Sequence, residues 1–273
     1  MQNSIPKLVT FDGEARSGKG TVVGMVKDYL RDELGRKVML IDRGQTFRVL
    51  VVAATRAGVD VDDAAALDTF LTSDENIAAC VQFVKDVYHM SKDERDSLLY
   101  TNIVGENSAK VGARPASQEF VKNLTKKWLH DAGNEGYEIV LIDGRALEAI
   151  AREMHDESLC DYRLGLYFVC DDVMGARRTL GYAATQYEDL TDEQRQEVDA
   201  LVEQIYIRNH RDHVREVEPL VLPADAPICR LPGGINDDQI DPERPMVVVD
   251  TSADMTKREM SMPIAELVAR YTA

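Results

Sequence analysis

The chain has 273 residues, a formal net charge of −16 and 44% hydrophobic residues. A chain of this length can bury a large core, as one big domain or as two small ones. The acidic balance excludes most nucleic-acid binders, because phosphates need a clustered basic surface and no block of Lys or Arg is present. No apolar run approaches membrane-spanning length, and the first seven residues lack the apolar core of a signal peptide.

The cysteines point to the same class of protein. Cys80, Cys160, Cys170 and Cys229 lie far apart and show no C-x-x-C spacing. This usage is typical of reduced packing residues rather than of a zinc site or a disulfide framework. We therefore expect a cytoplasmic protein with neither a nucleic-acid nor a membrane partner.

A glycine-rich stretch follows the first predicted strand. Residues 7–11 are mostly apolar and of strand length, and after Thr21 the apolar residues recur at helical spacing. Between them the chain reads G-x-x-x-x-G-K-G-T, a loop that turns backbone N–H groups towards phosphate at a helix N-terminus. The flanking strand and helix disfavour the alternative, a glycine-rich turn that arose by chance. The expected cofactor-binding residues are Gly13, Ser17, Gly18, Lys19, Gly20 and Thr21.

The loop also bears on metal binding. Gly20 stands where the commoner form of this loop has a Ser or Thr that ligates Mg²⁺, and the hydroxyl comes one residue later, at Thr21. We therefore expect a metal held by phosphate oxygens, water and an acid from elsewhere. Asp143 is the candidate, because it ends an unbroken apolar strand where open α/β sheets bind ligands. The alternative is that Asp143 is a helix N-cap.

Strands and helices alternate along most of the chain. This pattern predicts an α/β fold with a five-stranded parallel sheet sandwiched by helices. Residues 74–113 are ambiguous, since 81–84 fit a strand and 92–99 fit a helix, and we interpret them as an insertion over the sheet edge. The five predicted strands cover residues 7–11, 37–42, 138–143, 163–169 and 246–250.

A long helix near residue 210 carries an unusual charged face. Arg208, Arg211, Asp212 and Arg215 follow one another at three- and four-residue spacing, so they share one side of a helix. One interpretation is a surface ladder of salt bridges. Because the same chain has a phosphate loop, we favour a helical flap that brings arginines to a transferred phosphoryl group.

This ordered set of motifs resembles the cytidylate kinases of the nucleoside monophosphate kinase group. The pieces span nearly the whole chain in the family's order. Besides the phosphate loop, they are Asp42-x-Gly44-x-x-Phe47-Arg48, residues 58–63, Asp143-Gly144-Arg145, Arg208-x-x-Arg211-Asp212-x-x-Arg215-x-x-x-Pro219-Leu220, residues 223–226 and Val249-Asp250-Thr251-Ser252.

The resemblance implies a P-loop kinase that moves the γ-phosphoryl group of ATP to a (d)CMP-like nucleoside monophosphate, with Mg²⁺. It implies one domain over residues 1–273, with a core at 1–51, 114–176 and 216–273. An acceptor-binding insertion would occupy about 52–113, and a helical lid about 177–215. The implied partners are small-molecule nucleotides, and we expect a monomer. The rival hypotheses are a kinase for another small acceptor and a nucleotide-binding regulatory protein without turnover.

The resemblance also implies roles for single residues. Lys19 would bind the donor phosphates, Arg48 and Arg145 the acceptor phosphate, and Asp143 would hold Mg²⁺ through water. The implied catalytic residues are Lys19, Asp143, Arg145, Arg177, Arg208 and Arg215. The implied substrate-binding residues are Arg43, Phe47, Arg48, Gln118, Arg145, Arg208, Asp212 and Arg215.

The positions that read the base depart from the family's pattern. Ala109, Gln118 and Ala146 stand where the family presents a hydroxyl, a guanidinium and a carboxylate. Arg43, where the family has Thr or Ser, is either a substitute reader of the base or a solvated surface charge. We therefore expect weak discrimination between CMP and UMP. Two segments, around 148–161 and 227–245, are longer than the family's.

Overall fold

The computed structural model describes residues 5–273. The chain divides into two compact units, Met1–Ile41 together with Leu129–Ala273, and Asp42–Trp128. The strands are β1 (Lys7–Gly13), β2 (Val38–Asp42), β3 (Ile139–Asp143), β4 (Asp161–Val169), β5 (Ile228–Arg230) and β6 (Met246–Asp250). The helices are α1 (Lys19–Asp28), α2 (Arg43–Arg56), α3 (Ala64–Thr72), α4 (Asp74–His89), α5 (Lys92–Leu99), α6 (Asn102–Gly112), α7 (Pro115–Glu135), α8 (Leu147–Asp156), α9 (Asp172–Leu180), α10 (Asp192–Val214) and α11 (Lys257–Tyr271).

The strands form one sheet in the order β2-β3-β1-β4-β6-β5. β1 pairs in parallel with β3 and β4, and β6 pairs in parallel with β4 and β5. Because these strands run the same way, their carboxyl ends meet at one edge of the sheet. The predicted α/β fold with a parallel sheet is confirmed, and this edge is where such folds bind ligands.

The predicted number of strands is wrong, since the sheet has six. The additional strand is β5, which lies within the longer segment 227–245 and occupies the sheet edge beside β6. It has three residues, and Ile228 at its start is 51% exposed. A strand this short, with one buried residue between two exposed ones, leaves no apolar run that the sequence could reveal.

One core joins α1 and α11 to the sheet. Val22 and Val26 of α1 and Ile264 of α11 are fully buried in the same cluster as Phe11 and Leu141 from the strands. β3 reads Ile-Val-Leu-Ile-Asp and is buried up to its last residue. Such a continuous apolar strand is expected in the middle of a parallel sheet, because helices cover both faces. This packing determines where β3 ends, and so it places Asp143 at the carboxyl edge of the sheet.

The second unit is helical. It contains α2 to α6 and the first part of α7, and its residues pack into two clusters of buried side chains. The alternative that residues 81–84 form a strand is wrong, because they lie in α4. Cys80, Phe83, Val84 and Val87 are buried at helical spacing, so the short apolar run is one face of a helix rather than a strand.

α9 and α10 pack on each other through a small apolar cluster that includes Ala176, Val198 and Ile205. The prediction that Arg215 shares the helical face is wrong by one residue, since α10 ends at Val214 and Arg215 is extended (φ −65°, ψ 145°). The chain turns back there, because Leu220 donates its backbone N–H to the carbonyl of Asp212 at 2.8 Å. None of the helices found in residues 5–273 is long and apolar enough to cross a membrane.

The central strand gives a test of the core. Leu141→Ala should lower the free energy of unfolding by about 2–5 kcal/mol, because it removes a fully buried side chain and leaves a cavity. Urea denaturation followed by circular dichroism measures the change. Leu34→Ala, at a leucine that is 45% exposed, is the control and should stay within about 0.5 kcal/mol of wild type. Equal effects of the two substitutions would contradict the assignment of β3 to the core.

Candidate functional site

The glycine-rich loop leaves β1 against the backbone of β4. Gly13 has a φ of +129°, and a Cβ there would lie 2.2 Å from the carbonyl oxygen of Phe168. Gly18 precedes α1 with a left-handed backbone (φ 79°), and no side chain caps that helix. No side chain therefore competes with an anion for the N–H groups at the start of α1, of which that of Thr21 donates to the carbonyl of Gly18 at 3.0 Å. Phosphate binding by the residues of this loop stays a prediction.

Two hydroxyl groups donate hydrogen bonds to backbone carbonyls of the loop. Ser17 is buried and donates its Oγ–H to the carbonyl of Glu14 at 2.9 Å. Thr251, which follows β6, donates its hydroxyl to the carbonyl of Ser17 at 2.9 Å. Because the Ser17 hydroxyl bonds to a carbonyl of the loop itself, Ser17 stabilises the conformation of the loop.

Lys19 lies among the ends of two neighbouring strands. Its ammonium group contacts a carboxylate oxygen of Asp143 and donates to the carbonyl of Gly144 at 2.6 Å, with the carbonyl of Phe11 at 3.4 Å. The alternative that Asp143 is a helix N-cap is wrong, because α8 begins at Leu147 and is preceded by Ala146. The structure thus brings together the two residues predicted for donor phosphate and metal.

The donor set around Asp143 matches a metal bound mainly by substrate. Within residues 5–273 no group of three or more His, Cys, Asp or Glu side chains is placed to hold a metal ion. Asp143 keeps 18% of its side chain exposed at the sheet edge, and Lys19 and the uncapped start of α1 are its neighbours. One carboxylate beside a phosphate site suits Mg²⁺, which retains several waters and takes phosphate oxygens as ligands.

A second group of charges lies in the same unit, around Asp212. Arg145, in the turn before α8, places its Nη1 2.6 Å from Oδ2 of Asp212 on α10. Arg211 Nε lies 3.8 Å from Oδ1 of the same carboxylate. Arg215 donates its Nε–H to the carbonyl of Glu218 at 2.6 Å, and burial lowers the pKa of this guanidinium against the opposing influence of Asp212. The arrangement joins two elements and so differs from a ladder along one helix.

The other predicted lid arginines have different surroundings. Arg177 is 4% exposed, and its Nη2 donates to the carbonyl of Ala183 at 3.0 Å and contacts the carbonyl of Thr185. It braces the connection between α9 and α10. Arg208 lies on the exposed side of α10.

The phosphate loop also contacts α10 directly. Asn209 is buried and accepts the N–H of Ala15 at its Oδ1, at 2.8 Å. One turn further on, His213 Nε2 lies 3.7 Å from Oε1 of Glu14. His213 Nδ1 is 2.6 Å from the carbonyl of Leu220, so Nδ1 carries the proton and Nε2 faces Glu14. Burial raises the pKa of Glu14, and His213 opposes that shift.

In the helical unit, Arg43 is 2% exposed, so the interpretation as a solvated surface charge is wrong. Its Nη2 lies 3.3 Å from Oε1 of Gln118, whose Nε2 donates to the carbonyl of Gly112 at 2.5 Å. The ring of Phe47 lies 3.8 Å from the position of a Cβ on Gly112. Three of the residues predicted to bind the acceptor are therefore neighbours in this unit.

Arg48 occupies a different part of the same unit. Its Nη1 donates to the carbonyl of Leu99 at 2.9 Å, and its guanidinium stacks on the ring of Tyr100, 4.6 Å from the centroid. The stacking holds the planar group in one orientation while leaving other N–H groups to point elsewhere.

Comparison with known proteins identifies the family. The model of the cytidylate kinase family matches residues 9–230 of the chain. The chain belongs to the cytidylate kinase family. Similar proteins include the cytidylate kinase of Pseudomonas aeruginosa (strain LESB58), 28% identical over 231 residues that cover 82% of this chain and 87% of the relative. The cytidylate kinase of Mycobacterium leprae (strain Br4923) is 24% identical over 221 residues, covering 81% and 86%.

Family membership confirms the predicted class of enzyme, an ATP-dependent nucleoside monophosphate kinase. The roles of the single site residues and the boundaries of the insertion and the lid remain predictions. The family match ends at Arg230, so the last part of the sheet, including β6, lies beyond it.

Sequence reasoning missed two side chains that support the loop, Asn209 and Thr251. Asn209 lies between two of the predicted lid residues, but an amide on a polar helix is usually solvated and carries no signal. Thr251 lies in the family motif Val249-Asp250-Thr251-Ser252, and it directly follows a predicted strand. Only the structure shows that both bond to backbone atoms of the phosphate loop.

The raised pKa of Glu14 predicts how stability depends on pH. The native state binds more protons than the unfolded chain between the ordinary pKa of Glu and the raised value, so this residue's contribution falls as pH rises through that window. Glu14→Gln should remove this slope. The free energy of unfolding of Glu14→Gln relative to wild type should therefore increase from about pH 4 to pH 7.

Urea titrations at several pH values measure this difference. Glu203→Gln, at an exposed position of α10, corrects for the loss of one carboxylate from the chain. A difference between Glu14→Gln and wild type that stays constant with pH would contradict the burial of Glu14 beside His213.

Proposed function

We propose that this chain transfers the γ-phosphoryl group of ATP to CMP or a closely related nucleoside monophosphate, releasing ADP and a nucleoside diphosphate. The observation that carries the proposal is the contact between Lys19 of the phosphate loop and Asp143 at the end of the adjacent strand. A coupled assay of ADP release with a panel of nucleoside monophosphates tests it directly.

The donor phosphates would bind at the start of α1. Backbone N–H groups of the loop and the ammonium of Lys19 would hold the oxygens of ATP, supported by Gly13, Gly18 and the brace from Thr251. Mg²⁺, when bound, neutralises phosphate charge, and Asp143 would hold it through water. Lys19 and Asp143 compensate each other's charge.

The acceptor phosphate would bind to arginine side chains. Asp212 contacts Arg145 and orients it. Arg215 follows Asp212 in the chain, just after the end of α10. Arg48 is the corresponding candidate within the helical unit. These groups, with Arg208 in the lid, would neutralise the charge that spreads over the transferred phosphoryl group and would exclude water, while Arg177 supports the connection between α9 and α10. No covalent intermediate is needed, because positioning and charge neutralisation supply the rate.

The base of the acceptor would be read by Arg43 and Gln118. Arg43 is buried beside Gln118, so a guanidinium is present next to the position where the sequence has lost one. Arginine only donates hydrogen bonds, which suits the carbonyl oxygen that cytosine and uracil share. The carboxylate that would select an exocyclic amine is absent at Ala146.

We further propose a monomeric, cytoplasmic enzyme with no nucleic-acid partner. All four cysteines are free, and three of them are buried, as expected in a reducing compartment. The net charge of −16 opposes binding to nucleic acid.

The role of Lys19 predicts a loss of catalysis without a loss of fold. Lys19→Ala should lower kcat by about 10²–10³-fold or more, because developing charge on the phosphoryl group loses its nearest fixed cation. Lys27→Ala, on the same helix at a lysine whose Nζ lies 3.2 Å from Oδ1 of its neighbour Asp28, should keep wild-type kcat. Near-normal turnover of Lys19→Ala with an unchanged circular dichroism spectrum would remove the loop from the mechanism.

The choice of base gives a separate test. kcat/KM for CMP should exceed that for UMP by less than about 10²-fold, the scale of discrimination without dedicated hydrogen bonds. Arg43→Met should lower kcat/KM for CMP by about 10–100-fold, the value of a hydrogen bond to a charged group. Arg56→Met, at the other end of α2, is the matched control. A preference for CMP of several orders of magnitude would show that other groups read the base.

A further inference from the structure

A buried carboxylate lies just before the phosphate loop and has no role in the chemistry described so far. Asp12, the penultimate residue of β1, is 5% exposed. One oxygen, Oδ1, accepts the N–H of Gly13 at 2.6 Å, and the other, Oδ2, accepts the N–H of Leu147 at 2.8 Å. The two oxygens therefore contact two segments that are more than 130 residues apart in the chain.

The first segment is the start of the phosphate loop. Gly13 is pressed against β4 with a backbone that only glycine adopts easily, and Glu14 donates its N–H to the carbonyl of Phe168 at 2.9 Å. Asp12 adds a hydrogen bond on the other side of Gly13. The direction in which the loop leaves the sheet is thus fixed by β4 and by Asp12.

The second segment is the turn that presents Arg145. Ala146 precedes α8 in a left-handed conformation (φ 55°), which costs a non-glycine residue about 1 kcal/mol or more, and no side chain of the turn caps the helix. Asp12 supplies the missing acceptor from the neighbouring strand. The turn's other end is held by Gly144, whose N–H donates to the carbonyl of Phe11 at 3.1 Å. Arg145 lies between these two fixed points.

We propose that Asp12 is a positioning residue that holds the phosphate loop and the Arg145 turn in one fixed geometry for phosphoryl transfer. The inference rests on the proposed function, because the loop would bind the donor and Arg145 the acceptor. A single side chain then sets the relative placement of the two groups that must meet at the transferred phosphorus. A displacement of about 1 Å between such groups costs about 10²-fold in rate.

The role requires the ionised form of Asp12. An ionised carboxylate accepts at both oxygens, whereas a protonated one would aim an O–H at one of the two N–H groups. Burial raises the pKa of Asp12, while the two N–H bonds oppose that shift. The charged and titratable groups that face Asp12 are Lys19 on α1, Arg145 before α8, Tyr162 and Tyr167 on β4, and Arg215 after α10.

Asp12→Asn tests the proposal, because an amide of the same shape keeps one acceptor and turns the other into a donor. We expect kcat to fall about 10²-fold. The dissociation constant for ATP, measured by calorimetry, should change less than threefold, since the loop's own N–H groups remain. Asp171→Asn, which changes the cap of α9 from Asp to another good N-cap residue, is the matched control and should keep wild-type kcat.

Two further measurements separate positioning from general stability. Asp12→Glu keeps the charge but moves the oxygens by one methylene, so kcat should again fall at least tenfold. Wild-type kcat in this variant would show that only the buried charge matters and not the position of the oxygens, and it would overturn the proposal. In wild type, kcat should fall at low pH as Asp12 becomes protonated. Asp12→Asn has no carboxylate at that position, so this contribution to the pH profile of kcat should be lost.

Amide hydrogen exchange keeps the inference separate from the proposed function. In Asp12→Asn, at least one of the N–H groups of Gly13 and Leu147 should exchange at least tenfold faster, because the amide keeps only one acceptor, while exchange in α11 should be unchanged. If the wild type fails to phosphorylate any nucleoside monophosphate, the proposed function is wrong, yet these two amides still report whether Asp12 anchors both segments. Unchanged protection of both amides, or a kcat of Asp12→Asn within threefold of wild type, would overturn the inference.

Discussion

The ammonium group of Lys19 is held where two parallel strands end side by side, and most of the site is arranged around that position. β1 and β3 are paired so that Phe11 lies opposite Asp143, which puts a backbone carbonyl, a carboxylate and the turn of Gly144 around one cation. This geometry follows from the sheet rather than from the loop, because parallel strands in register end together. The loop then has only to bring α1 over that end. Donor phosphate would compete with Asp143 for the same cation, so nucleotide binding would release the carboxylate for a metal.

A strongly acidic chain must keep the arginines that we propose to bind phosphate both charged and in place. The structure does so by partial pairing, since Asp212 contacts Arg145 and lies near Arg211 and Arg215 while leaving the guanidinium groups other N–H donors. A buried ion pair adds little net stability, but removing one partner leaves an uncompensated charge and is costly. Asp212 is therefore better understood as a residue that orients arginines than as one that stabilises the fold. An incoming phosphate would meet cations that are already ordered, and little rotamer entropy remains to be lost on binding.

The parts of the fold that the sequence could reveal are those in which one physical pattern dominates. β3 is a continuous apolar strand, the phosphate loop has fixed spacing, and residues 92–99 repeat at helical period, and all three were predictable. β5 was missed because three residues have no period, and residues 81–84 were ambiguous because a short apolar run fits either type of element. The end of α10 depends on a tertiary contact between Leu220 and Asp212, which no local pattern contains. The burial of Arg43 was equally hidden, because arginine is rarely buried and only its packing beside Gln118 identifies it.

Asp12 and Asp143 lie at the carboxyl ends of neighbouring strands, as the penultimate residue of β1 and the last residue of β3, yet their surroundings differ. Asp12 is nearly inaccessible, and both of its oxygens accept backbone N–H groups, so its charge is committed to holding the chain. The side chain of Asp143 remains 18% exposed, and it contacts the ammonium group of Lys19, to which a phosphate can also bind. A carboxylate whose partners are backbone groups keeps them when substrate binds, whereas one whose partner is a mobile side chain can exchange it. The two proposed roles of this residue type at one edge of the sheet, an anchor and a metal ligand, thus follow from one difference, the kind of donor that each carboxylate faces.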